Sequence, residues 1–229
     1  MGCFRLLVSS ATLLMLGACG KVELQANDSS PPAQVASATV APLQAKPASK
    51  TYEGPFGLAM GIQTKELVED LGFEYRVDTL YSGTPPKPAV GFDQYLVSAT
   101  PLRGICKVIA SKDVKNVSGS GNQLKAAADE IAEMVELKYG KHTQKYDFAS
   151  QDVYKRNPQF WMMALMRGEV TYLYAWTKGK AIDLPNDIRD IEVVAGSTSI
   201  NDGYVKLMYI FSNSKACDDE IKRKKSANL

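Results

Sequence analysis

Few residues of this 229-residue chain are of types that do chemistry by themselves. His142, the sole histidine, stands in "YGKHTQK" among lysines, just past a predicted helix end. General acid–base work would require a positioned partner, and the sequence shows none, so a solvent-exposed loop histidine is the expected reading. The acids Asp129, Glu130, Glu133 and Glu136 fall opposite the apolar stripe of one helix. That placement makes them a wetted face and not paired carboxylates. No Gly-x-Ser-x-Gly, P-loop or dinucleotide fingerprint occurs. The expectation is a protein without cofactor or catalysis, with a hydrolase built on an unrecognised convergent site as one alternative.

One stretch offers a binding surface. On "EVTYLYAW", strand alternation puts Val170, Tyr172, Tyr174 and Trp176 on one face. "FWMMALMRGEVTYLYAW" reads as a hairpin turning at Arg167-Gly168, which places Trp161 on the partner strand. An exposed ladder of Trp161, Tyr172, Tyr174 and Trp176 would stack on sugar rings, making a module for peptidoglycan or another glycan, or would take a partner's apolar anchor. The competing reading buries the ladder under helices, the commoner fate of large aromatics at strand spacing.

Composition narrows the classes further. With 45% hydrophobic and 23% charged residues the chain has an ordinary globular make-up. Residues 1–50 hold Arg5, Lys21, Lys46 and Lys50 against Glu23 and Asp28, which accounts for the whole formal charge of +2. Residues 51–229 are therefore neutral and lack the basic surplus that phosphate neutralisation demands. No nucleic-acid partner is expected.

The N-terminus has the order of an export signal: Arg5, an apolar stretch from Leu6 to Leu16, then small residues Gly17 and Ala18. The run is about half of the ~20 apolar residues a membrane-spanning helix needs. Leu16-Gly17-Ala18-Cys19 resembles the lipobox of bacterial lipoproteins. That resemblance implies cleavage of a signal peptide over 1–18, acylation (palmitate among the chains) of Cys19, and attachment to a lipid bilayer. Gly20, where an aspartate would imply inner-membrane retention, implies the outer membrane facing the periplasm.

Residues 19–50 then form the acylated cysteine and a tether. From Gly20 on, the segment has no aromatic residue, four prolines and much Ala, Ser and Gln, too little apolar surface to offset the entropy of ordering. As a flexible coil it spans roughly 30 Å. Cys3 leaves with the signal and Cys19 is acylated, so Cys106 and Cys217 remain, in a compartment where disulfides persist. A structural bridge is expected, with two buried free thiols as the alternative. One histidine and two remote cysteines fall short of a zinc site.

Residues 51–229 make the globular domain. "GIQTKELVEDLG" predicts a helix with Thr64 as N-cap and Gly72 as stop. Strands are predicted over 73–80, 92–99 and 103–111, then a helix over 122–139 with Leu124, Ala128, Ile131 and Val135 inward. "IEVVAG" and "GYVKLMYIF" predict a hairpin about Asn201-Asp202-Gly203, and a last helix over 214–226 runs from acidic to basic, as its dipole favours. The order predicts an α+β fold, antiparallel sheet with helices on one face. "ELVEDLGFEYR" and "EMVELKYGKHT" suggest two related helix-plus-strands halves.

"FGLAMGIQTKELVEDLG", through Gly57, Gly61, Thr64, Leu67, Leu71 and Gly72, resembles the opening of outer-membrane assembly lipoproteins of the SmpA/OmlA type and of β-lactamase-inhibitor-like modules. The resemblance implies an αβ module that binds protein. The functional expectation is a membrane-anchored periplasmic lipoprotein with an envelope protein as partner, serving binding or envelope maintenance.

Overall fold

The structure, a computed structural model, describes residues 51–180 and 183–227. The expected signal peptide over 1–18, the tether over 19–50 and Cys19 itself lie outside the described residues. In chain order the elements are α1 (Thr64–Glu69), β1 (Glu74–Val77), β2 (Leu80–Ser82), β3 (Gln94–Thr100), β4 (Gly104–Val114), α2 (Asn122–Tyr139), β5 (Gln144–Ala149), α3 (Asp152–Arg156), α4 (Trp161–Met166), β6 (Val170–Thr177), β7 (Ile188–Ser197), β8 (Gly203–Phe211) and α5 (Ser214–Ser226).

All eight strands join one antiparallel sheet in the order β1-β2-β3-β4-β8-β7-β6-β5. The fold is α+β, as predicted. Two four-stranded meanders meet where β4 pairs with β8, and each is preceded by a helix ending at a glycine of left-handed φ, Gly72 at 70° and Gly140 at 84°. The halves differ in one large feature. β1 and β2 are joined by the two-residue turn Asp78-Thr79, whereas α3, a 3₁₀ turn at Pro158–Phe160 and α4 separate β5 from β6.

Antiparallel register shows which side chains share a face. Tyr95, Ala110, Leu207, Val193 and Tyr174 line up across five strands on one side, and Val108, Tyr209, Ile191 and Trp176 form the next row on that side. Most of these residues belong to a single core cluster that also takes Leu67 of α1, Leu124, Ala128, Ile131 and Val135 of α2, Tyr154 of α3, and Met162 and Ala164 of α4. These four helices thus bury against one face of the sheet. The last helix, α5, crosses its end near β3 and β4, where the Cys106–Cys217 disulfide (Cα–Cα 6.6 Å) and a Thr100 hydroxyl donating to Glu220 at 2.6 Å hold it.

Three local expectations are corrected. The span 73–80 is not one strand: Asp78 adopts φ 54° and turns the chain between β1 and β2, a conformation Asp tolerates better than most side chains. Gln63, not Thr64, occupies the N-cap position of α1, without a side-chain capping hydrogen bond, and Thr64 is the first helical residue. Trp161–Met166 is the helix α4, not the first strand of a hairpin. Met, Ala and Leu are strong helix formers, and Trp161, Met162 and Ala164 are the buried residues, a helical and not an alternating pattern. The outer partner of β6 is β5 instead.

Candidate functional site

The aromatic ladder lies beneath α2. Trp161, Tyr172, Tyr174 and Trp176 are all buried, at most 6% exposed. Their rings pack edge to face from Trp161 to Tyr172 (6.2 Å) and from Tyr172 to Tyr174 (6.0 Å), then stack from Tyr174 to Trp176 (6.5 Å). A glycan finds no open ring face to stack on there. The ladder is core, the second of the two sequence readings.

What the sequence did not reveal is the polar seam that closes over it. The Tyr172 and Tyr174 hydroxyls both donate to Oδ1 of Asp129, at 2.6 and 2.5 Å. Burial, then the Asp129 carboxylate, raises both phenol pKa values, so the hydroxyls keep their protons as donors. The Lys145 ammonium stands 4.5 Å above the Tyr174 ring and 3.8 Å from Asp129, and Lys125 sits 4.4 Å above the Trp161 ring. Hydrogen bonding to Tyr174, then the Asp129 and Asp147 carboxylates, raises the Lys145 pKa against the opposing effect of burial. Trp176 Nε1 donates to the Gly140 carbonyl at 2.8 Å.

His142 is not a free loop histidine. Its Nδ1 is hydrogen-bonded to Glu136, and its ring meets Tyr174 edge-on at 5.1 Å and Trp176 at 6.1 Å. That hydrogen bond holds the Glu136 carboxyl below its ordinary range, although partial burial opposes the shift. Of the four acids read as a wetted face, Asp129 and Glu136 are structural partners, while Glu130 pairs with Lys112 at 3.0 Å and Glu133 is exposed.

A shallow cleft of about 290 Å³ opens along this seam, lined by Asp129, Ala132, Glu133, Glu136, His142, Lys145 and Tyr174. No serine, threonine or cysteine is among these residues. Among the described residues no three His, Cys, Asp or Glu side chains converge as metal ligands do. The seam is best described as the joint that fastens α2 to β5 and β6.

The other face of the sheet is different in kind. Leu96, Ile109, Met208, Glu192 and Ala175 form one row across five strands, and Ser111, Lys206, Val194, Leu173 and Tyr146 form the next. None of these ten belongs to the core cluster, and Leu96, Ile109, Met208, Val194 and Leu173 stay partly exposed. On the edge strand β5, Tyr146 and Phe148 extend the stripe at 45% and 57% exposure. The result is a band, apolar except at Glu192, Lys206 and Ser111, on a sheet face that α1 to α4 leave uncovered. Such bands on otherwise soluble surfaces mark interaction sites.

Glu192 lies inside that band. Its cross-strand neighbours are Met208 and Ala175, and Asp190 and Val194 flank it along β7. It has neither a hydrogen bond nor an ion pair among the described residues; burial, the largest influence, pushes its carboxyl pKa up and Asp190 adds to the rise, while the Lys107 and Arg189 charges draw it down. Asp190 differs in having a near partner, Arg189 Nε at 2.6 Å.

The band had a sequence signal that the alternation argument passed over. In "VTYLYAWT", "IEVVAG" and "VKLMYIF" apolar residues occupy both strand faces. A sheet covered on one side only requires one apolar face, so the second set is surplus to the core. Matching the chain to known proteins returns no protein family and no curated relative.

Proposed function

We propose that this chain is a lipid-anchored periplasmic protein, held to the outer membrane through acylated Cys19, that acts by binding another envelope protein on the uncovered face of its sheet and carries out no reaction of its own. The observation that carries the reading is the apolar band of Leu96, Ile109, Met208, Val194 and Leu173, continued by Tyr146 and Phe148, on the side opposite the core. An eight-stranded antiparallel sheet is a broad platform, and five side chains in two adjoining cross-strand rows present a pre-ordered surface at small entropic cost. The anchor and tether agree with this role. In the oxidising periplasm the Cys106–Cys217 bridge is the formed state, which keeps α5 on the end of β3 and β4.

Photocrosslinking in intact cells tests the proposal. A photoreactive residue placed at Met208, on the band, should yield a discrete protein adduct, and one at Leu137, which is 90% exposed on the helical side, should not. Equal adduct patterns from the two positions, or none from Met208, would refute the assignment of this face. Fractionation of a Cys19→Ser chain away from membranes would support the anchor.

A further inference from the structure

The position of Glu192 identifies the chemistry of the partner. We propose that the uncovered sheet face takes a polypeptide segment that presents a lysine or arginine side chain from among apolar residues, the cation settling on Glu192 and the apolar residues on Leu173, Val194 and Met208. This inference rests on the reading of that face as a docking surface and adds what the surface selects.

The argument is one of unmet pairing. A carboxylate loses hydration when neighbouring side chains crowd it, and that loss is offset only by a hydrogen-bond donor or a cation. Glu192 is half-buried between Met208 and Ala175 and has neither, although Asp190, next on the same face, is bound by Arg189. Two further cations act on Glu192 only through their fields: Lys107 stands two strands away, and Arg189 is engaged by Asp190 and Ser214. Lys206, on the adjoining row, is turned over the Tyr204 ring at 4.6 Å. The free protein thus carries an acid that weakens its own fold slightly and becomes satisfied when a cation is brought from outside. Glutamine has the same shape without the charge, so the acid serves something other than packing.

The surrounding surface sets the rest of the requirement. A free ammonium ion or a flexible polybasic tail would meet the acid but leave the band uncovered. An apolar peptide would cover the band and bury the acid unpaired, which is costly. A basic residue flanked by apolar ones satisfies both, and the like charge of Lys107 and Lys206 disfavours a run of several basic residues.

The test uses the full chain in detergent micelles and a library of random dodecapeptides. Peptides retained by wild type, and released by Met208→Asp on the band, should carry a Lys or Arg beside apolar residues. Their affinity, read by fluorescence anisotropy, should fall at least about tenfold in Glu192→Gln and further in Glu192→Lys, as for loss of a charged hydrogen bond. Glu133→Gln, on the exposed side of α2, should leave it unchanged. Thermal unfolding should show Glu192→Gln to be no less stable than wild type, which separates lost binding from lost folding. Selected peptides without basic residues, or equal affinity for wild type and Glu192→Gln, would overturn the cation while leaving the docking face in place. No peptide sensitive to Met208→Asp would overturn both.

Discussion

The Tyr172 hydroxyl donates to Asp129 at 2.6 Å, which ties the middle of α2 to β6 across a sequence separation of 43 residues. Tyr174 donates to the same oxygen, and Lys145 approaches it from β5, so one carboxylate on α2 gathers groups from two strands. Replacing Asp129 by alanine leaves two phenol donors without an acceptor. The expected cost is about 2–4 kcal/mol, read as a lower urea midpoint with unchanged slope. Asp129→Asn, which keeps an acceptor, should cost less than half of that.

Glu136 and His142 give a pH signature. The His142 hydrogen bond, with help from the Lys141 charge, depresses the Glu136 pKa below its ordinary 4.5. A carboxyl with a depressed folded value contributes stability that is fully present above its unfolded pKa and disappears as pH falls through the folded one. Glu136→Gln should therefore lower stability at pH 7, by no more than about 1 kcal/mol for a pair that solvent still screens. At pH 3 the difference from wild type should shrink. A difference independent of pH would show that the ionised carboxylate is not what matters.

Gly121 precedes α2 with φ 71°, and a Cβ there would overlap the ring of Trp161. Gly121→Ala combines a disfavoured backbone with a displaced indole, so a loss of about 2 kcal/mol or more is expected. Tryptophan fluorescence should shift with it, since Trp161 is one of two tryptophans in the chain. Gly140→Ala shares the unfavourable φ of 84° but meets nothing within 4 Å, so only the backbone contribution should be lost.

The disulfide spans 111 residues. In the chain-entropy model a loop of that length is worth about 4–5 kcal/mol, because it restricts the unfolded chain. Reduction, or Cys106→Ser with Cys217→Ser, should lower the thermal midpoint. Hydrogen exchange in α5 should rise first, since Cys217 is its one buried apolar residue.

How much was legible in the sequence depends on the range of the physics involved. The helices about 122–139 and about 214–226 were readable, because helical periodicity and a dipole-matched charge order are local properties. The hairpin of β7 and β8 was readable from its Asn-Asp-Gly turn and flanking apolar runs. The α+β class followed from the order of elements. The even count of cysteines left after export predicts a Cys106–Cys217 bridge, and the structure pairs the two.

Other features were decided only when the chain closed on itself. Trp161 entered a helix, not a strand, because six residues of good helix formers pack one buried side on β6 and β7, a preference that alternation on the following strand cannot reveal. Asp129 and His142 looked solvated on a helical wheel and after a glycine, yet the tyrosines and tryptophan of β6, more than thirty residues away, supply their partners. Sequence fixes which side chains alternate together, but a strand pattern with apolar residues on both faces does not say which face the helices take. The register of eight strands does so, since it aligns one set under α2 and leaves Leu96, Ile109, Met208, Val194 and Leu173, with Glu192 among them, on the side those helices do not cover.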